Sequence, residues 1–248
     1  RVNIHGTAYV FNRIQWSKNK DYDIVHSFEA RPVCIFPALA LRKLKNIPIV
    51  LDWADWFGTG GSIEERSNPL IKLFLRPFEN FFESFFRNKV EGTTVINSIL
   101  FKRAIELGVP SKNILLLPNG SDTSNILRIN TTKARRDLCL PQKAFIIGYL
   151  GSIFQKDAEL MAAAFDKLAD RKEDVILMII GNLQYDFSKL INHKKSLIQT
   201  GWVKESELNL WLSAMDLAWL PMIDTNANKG RFPLKFHDYL AAGKPIIT

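Results

Sequence analysis

Short apolar runs alternate with helix-length segments along this chain, and the alternation happens twice. DIVHSF (Asp23–Phe28), IPIVLDW (Ile47–Trp53), GTTVIN (Gly92–Asn97) and NILLLP (Asn113–Pro118) read as strands. Between them lie helical stretches near Val33–Lys45, at Asn68–Asn88, and up to Gly108, which suits a helix C-cap. After a polar stretch, Ser121–Gln142, strand-like runs return: FIIGYL (Phe145–Leu150), DVILMII (Asp174–Ile180), LIQTG (Leu197–Gly201) and DLAWLP (Asp216–Pro221). Helices are expected at Ala158–Ala169, before His193, at Glu205–Ala214 and within the closing RFPLKFHDYLAAGKPIIT. Continuous apolar strands spaced by helices predict parallel sheets covered on both faces. The fold class is therefore α/β, with two Rossmann-like halves: residues 1–125, a linker at 126–142, and residues 143–248. Two such halves facing one another would open a ligand cleft at the carboxyl ends of their strands.

Composition narrows the functions. Hydrophobic residues make up 47% of the 248 and charged ones 23%, as in a folded globular protein. The longest apolar runs fall short of a membrane span. A net charge of +8 suits a phosphate-bearing partner, but the basic residues are dispersed and no nucleic-acid-binding signature is present. Cys34 and Cys139 lie far apart, which points to a reducing, cytoplasmic setting and away from a structural zinc site. The chain opens at Arg1 and stops after PIIT, and a fragment of a longer protein is expected.

Three stretches can carry chemistry. In YLGSIFQKD a strand ends at Gly151, Ser152 follows, and a helix with Lys156 near its start offers free N–H groups to an anion; routine turn chemistry is the alternative. In LLLPNGSD, Asn119-Gly120 is a turn signal at a strand's carboxyl end, beside the expected cleft. In the closing segment, Pro233 suits a first helical turn. Lys235 and Asp238 share a face there, with Arg231 just upstream, and the alternative is an exposed ion pair.

Taken in order, DIVHSF, ELGVPSKNILLLPNGSD, IIGYLGSIFQKD, VILMIIGN, LIQTGWVKESELNLWLSAMDLAWLP and RFPLKFHDYLAAGKPIIT resemble the retaining glycosyltransferases of the GT-B fold, family 4. The resemblance runs from about Asp21 to Thr248 and implies transfer of a sugar from a UDP- or GDP-linked donor to a saccharide or lipid-linked acceptor. It assigns Gly151, Ser152, Lys156, Arg231, Lys235 and Asp238 to donor binding, with Asn119 and Gly120 beside the cleft. His26, Glu29 and Asp55 become the candidate catalytic residues. No cofactor or metal is implied. Three positions depart from the family pattern: Ser152 replaces a basic residue, Phe28 a histidine, and Gly230 the first of two glutamates. A sugar-nucleotide epimerase of the same fold, or a non-catalytic nucleotide-sugar-binding subunit, remains the alternative.

Two further readings complete the expectations. Leu70–Lys89 is an amphipathic helix, with Phe74, Phe78, Phe81, Phe82, Phe85 and Phe86 along one side and Lys72, Arg76, Glu79, Glu83 and Arg87 along the other. It is expected to pack its rings on the sheet, with peripheral contact to the inner face of a membrane as the alternative. The glycines of LDWADWFGTGG (Leu51–Gly61) suggest a mobile loop on the acceptor side, and Trp211 and Trp219 are read as core.

Overall fold

A computed structural model describes residues 7–66, 68–183 and 186–248. The chain forms two compact units, one of residues 1–118 and 224–232, the other of residues 119–223 and 233–248. Both are α/β, and every strand pairing in both sheets is parallel.

The first unit opens on α1 (Thr7–Ser17), β1 (Val25–Phe28) and α2 (Pro32–Lys45). It continues through β2 (Ile49–Trp53), α3 (Pro69–Phe85), β3 (Gly92–Val95), α4 (Ser98–Glu106) and β4 (Ile114–Leu116). The sheet order is β1-β2-β3-β4. Helices α3 and α4 begin where sequence chemistry dictates: the Asn68 side chain accepts from Leu70 and Ile71 N–H, and Asn97 accepts from Leu100 N–H. Gly108, at φ 84°, follows α4 in the left-handed conformation expected of a C-cap glycine.

Helix α3 corrects the reading of its sequence. Phe82 and Phe86 do pack on Ile35, Ile49 and Leu51. The charged Glu79, Glu83 and Arg87 are buried with them, and Phe74, Phe81 and Phe85 face outward. Glu83 explains the inversion. Its carboxylate accepts from Phe57 N–H (2.7 Å), Gly58 N–H (2.9 Å) and Trp53 Nε1–H (3.2 Å). A carboxylate holding three donors outranks a ring for the inner position. The same bonds tie down the loop read as mobile, helped by Ser62 N–H donating to the Trp56 carbonyl at 2.7 Å.

The second unit contains α5 (Thr131–Asp137), β5 (Phe145–Leu150), α6 (Gln155–Ala169), β6 (Val175–Ile180) and β7 (Leu197–Gly201). α7 (Glu205–Ala214), β8 (Leu217–Trp219), α9 (Leu234–Ala241) and β9 (Ile246–Ile247) complete it, while the short α8 (Asn226–Lys229) belongs to the first unit. The sheet order is β7-β6-β5-β8-β9. Both faces are buried, as its continuous apolar strands require. Ile147, Leu177 and Ile179 pack with Met161 and Phe165 of α6, and Ile146, Met178 and Ile180 pack with Leu212 of α7 and Tyr239 of α9. Trp211 and Trp219 are partly buried against these two clusters. A fully buried side chain such as Phe165 contributes roughly 1.5–3 kcal/mol.

Two elements differ from expectation here. The polar stretch read as a linker contains α5, whose N-cap Asn130 accepts from Lys133 N–H. Arg135 of α5 is buried and donates to the carbonyls of Gln142, Ala144 and Ala214 and to the Asp216 carboxylate, so the stretch is part of the second unit. The helix expected before His193 is absent from the described residues between β6 and β7, where two 3-10 turns stand, Phe187–Lys189 and Lys194–Ser196; residues 184 and 185 lie outside the description. Asp166 of α6 accepts from Asn192 and His193 N–H at 3.0–3.2 Å, and those bonds compete with helical ones.

Candidate functional site

In the second sheet the chain leaves β5 toward β6 on one side, and β8 lies on the other. Strand order reverses there, and ligands of open α/β sheets bind at the carboxyl ends of strands beside such a reversal. Glycines end β5 and β6 at this edge. Gly151 (φ 87°) donates its N–H to the Ile180 carbonyl at 2.7 Å, and Gly181 has φ 120°. A Cβ on Gly181 would lie 3.1 Å from Gly151 Cα, so both backbones stay bare, and a ligand can approach them closely.

Helix α6 starts just beyond. Its N-cap, Phe154, supplies no side-chain bond to the first turn. Lys156 stands exposed in that turn. The N-cap of α9, Pro233, supplies no side-chain bond either, and Lys235 extends from its first turn to the β5 edge. Its ammonium donates to Tyr149 Oη (2.6 Å) and to the Ser152 carbonyl (3.0 Å), 4.1 Å from the centre of the Tyr149 ring. Tyr149 Oη donates in turn to the same carbonyl at 2.7 Å, so the loop is held at Ser152 by two donors. Burial pushes the Lys235 pKa down to about 8, against the favourable field of Asp157. A cation bonded only to a phenol and a carbonyl is poised for an anion.

Asp238, one turn along α9, accepts from Ser121 Oγ at 2.7 Å. Asn119 and Gly120 begin this unit in a stretch assigned neither regular structure nor a turn, and Gly120 would have open space around a Cβ. The structure thus gathers Gly151, Ser152, Lys156 and Lys235 at one sheet edge, with Asp238 on the helix that carries Lys235. Gly181 was missed. Its signal was the glycine closing VILMIIGN, the same strand-end position as Gly151.

Arg231 is placed elsewhere, in the first unit. Its guanidinium pairs with Glu65 at 2.5 Å and Asp55 at 3.6 Å, and bonds Asn228 Oδ1 at 2.6 Å. Asn97 Nδ2–H donates to the carbonyls of Lys229 and Arg231, fixing the segment further. Gly230 lies against Trp56. A Cβ there would be 2.6 Å from Trp56 Cβ, so the glutamate of the family pattern does not fit this packing.

Of the other first-unit candidates, His26 lies within β1, Glu29 just past its carboxyl end, and Asp55 just past β2. His26 is exposed, with Nε2 3.1 Å from Thr94 Oγ1. Thr94 spends its only proton on Asp52, 2.5 Å away. Nε2 is therefore the donor in this bond, and Nδ1 has no part in it. Glu29 is a non-glycine residue at φ 76°, a conformation that favours glycine and concentrates at functional sites. It pairs with Arg31 at 3.3 Å, and Arg31 also holds Glu79. Burial raises the pKa of Glu29 against Arg31, and that of Asp55 against Arg231.

Two parallel-sheet α/β units of this kind define the GT-B fold. Residues 144–248 match the family model described as glycosyl transferases group 1. The chain is 23% identical over 205 residues to TuaH of Bacillus subtilis, described as a teichuronic acid biosynthesis glycosyltransferase. That match covers 80% of this chain and 49% of TuaH, so the chain spans about half the length of this relative. Among solved structures, sucrose-phosphate synthase from Thermosynechococcus elongatus is matched at TM-score 0.75 and 15% identity, over 96% of this chain and 58% of that one. Anabaena HepE in complex with UDP-glucose is matched at TM-score 0.64 and 14% identity, over 96% and 62%. Over residues 144–248 the chain is thus similar to the group 1 glycosyltransferases, and that stretch includes Lys235.

Proposed function

We propose that the chain is part of a glycosyltransferase that moves a hexosyl group, with retention of configuration, from a nucleotide diphosphate sugar to a saccharide or lipid-linked acceptor. The observation that carries this reading is the second sheet's edge: two bare glycine backbones beneath a lysine whose partners are both neutral. A diphosphate supplies the missing charge. Its oxygens accept from Lys235, from Lys156 and from the first-turn amides of α6, while Asp238 keeps a carboxylate oxygen for ribose hydroxyls. Charge that develops on the departing diphosphate is stabilised by groups already oriented before reaction. The chemistry asks for no metal and no cofactor beyond the donor. UDP is the first donor nucleotide to try, because HepE, to which the chain is similar, was solved with UDP-glucose.

The acceptor belongs to the first unit. His26 Nδ1 is available to an acceptor hydroxyl, and Glu29 and Asp55 orient the neighbouring hydroxyls. Calorimetry with UDP and GDP tests the donor half: Lys156→Ala and Lys235→Ala should each weaken binding, and unchanged affinity in both would sink the proposal. Incubating UDP-sugars without acceptor separates transfer from epimerisation, since an epimerase isomerises the sugar and a transferase at most hydrolyses it slowly.

A further inference from the structure

Three neighbouring strands of the first unit carry a chain of polar side chains on one face. Register places Thr94 of β3 beside Asp52 of β2, and Asp52 beside Phe28 of β1, two residues along from His26. Side chains two apart on a strand share a face, so His26, Asp52 and Thr94 lie on the same side of the sheet. Thr94 Oγ1 donates to Asp52 Oδ1 at 2.5 Å, and His26 Nε2 stands 3.1 Å from Thr94 Oγ1. The Phe28 ring packs against the imidazole, with centroids 4.8 Å apart. Asp52 and Thr94 are 8% and 4% exposed, so the far end of this chain is shut away from water.

Asp52 is costly where it stands. Among the described residues no cation comes within ion-pairing distance of its carboxylate, and Thr94 is the one side chain that donates to it. The Arg87 guanidinium bonds the backbone carbonyl of Asp52, at 3.4 Å, and reaches the carboxylate only through its field. Glu83, also buried, gathers three donors and ties down a loop, whereas Asp52 holds nothing but the Thr94 hydroxyl. An apolar side chain would fill such a position at lower cost. A buried acid that spends its charge on one hydroxyl, itself bonded to a candidate site residue, has its use in that site. We propose that Asp52 and Thr94 position His26, holding its neutral ring in the Nε2–H form and leaving Nδ1 for a substrate hydroxyl. Asp52 takes the Thr94 proton, so Thr94 can only accept, and only an Nε2–H ring bonds to it. An acid that fixes the tautomer and orientation of a histidine is the device of hydrolase triads, here with a threonine interposed. The inference rests on the acceptor role proposed for His26. Asp52 and Thr94 act through that ring and do not touch substrate.

Heteronuclear NMR of the ring nitrogens, at about pH 8.5 where an ordinary imidazole is neutral, reads the tautomer of His26 directly. Wild type should show Nε2–H. Asp52→Leu frees the Thr94 proton for donation to Nε2, so Nδ1–H should become the main form. Thr94→Val should give a mixture, and Thr94→Ser, which keeps the hydroxyl, should match wild type. Hydrolysis of UDP-glucose, with water in the acceptor's place, supplies the functional arm. Its kcat should fall about tenfold in Asp52→Leu and in Thr94→Val, with KM within about twofold, and should recover in Thr94→Ser. A purely structural Asp52 predicts neither the change of tautomer nor the rescue. An Nδ1–H ring in wild type overturns the proposal even if no variant folds. So does an unchanged Nε2–H ring in both Asp52→Leu and Thr94→Val. If the tautomer moves as stated while kcat holds, the positioning of the ring stands and the acceptor role given to His26 falls.

Discussion

The two units hold their candidate site cations differently. In the first, several buried or half-buried charges are ion-paired: Arg31 with Glu29 and Glu79, Arg231 with Glu65 and Asp55, Glu83 with Arg103. In the second, Lys235 is held by a phenol and a carbonyl, and the helix starts on either side of it lack side-chain caps. Ion-paired charges stabilise a fold and resist change; a cation hydrogen-bonded to neutral groups favours an anionic ligand. The contrast separates residues that hold the first unit together from those proposed to bind the donor.

The contrast breaks most visibly at Glu83. Glu83→Ala leaves Arg103 without its partner and the Phe57, Gly58 and Trp53 donors unmet. It should cost about 3–5 kcal/mol of stability, read as a lower denaturant midpoint by circular dichroism. Lys235→Ala should do the reverse. Tyr149 still holds the Ser152 carbonyl, so stability changes little, while nucleotide affinity falls about 30-fold, roughly 2 kcal/mol by calorimetry. Equal effects of the two substitutions on folding and on binding would erase the distinction.

Much of this was legible in sequence because continuous apolar strands and asparagine N-caps act locally. DIVHSF, FIIGYL and VILMII form strands close to where they were read, and Asn68 and Asn97 start α3 and α4 as a cap residue should. What the sequence hid is set by distant partners. The amphipathic pattern of α3 is real, yet which side faces inward depends on the Phe57 and Gly58 amides and on Trp53, far away in the chain. Arg231 sits four residues before Lys235, yet its carboxylate partners lie at positions 55 and 65, and the chain returns to the second unit at Pro233. Proximity in sequence assigned both cations to donor binding; the structure places Arg231 in the first unit and Lys235 in the second.

Titration sharpens the comparison further. Burial holds Lys235 near a pKa of about 8, and a bound diphosphate favours the ammonium, so the bound pKa lies higher. Affinity for UDP should then be level up to about pH 8 and fall about tenfold per pH unit above it, until the bound pKa is reached. Phosphate itself titrates near pH 6 and leaves this window clear. Isothermal titration from pH 7 to 9.5 checks the slope, and Lys235→Ala should flatten it.

Arg231→Ala gives the smallest expected change and the finest discrimination. The guanidinium is 12% exposed and meets Glu65 at 23% exposure, so the pair is only partly screened by water. Its loss should cost about 1–2 kcal/mol of stability. If Arg231 serves the first unit, UDP affinity stays within about threefold of wild type, and Asp55 loses the cation that opposes its raised pKa. A loss of UDP affinity as large as that of Lys235→Ala would mean that Arg231 leaves its carboxylates for the nucleotide. The ion pair would then be a resting state of the donor site, and the division of labour between the units would have to be redrawn.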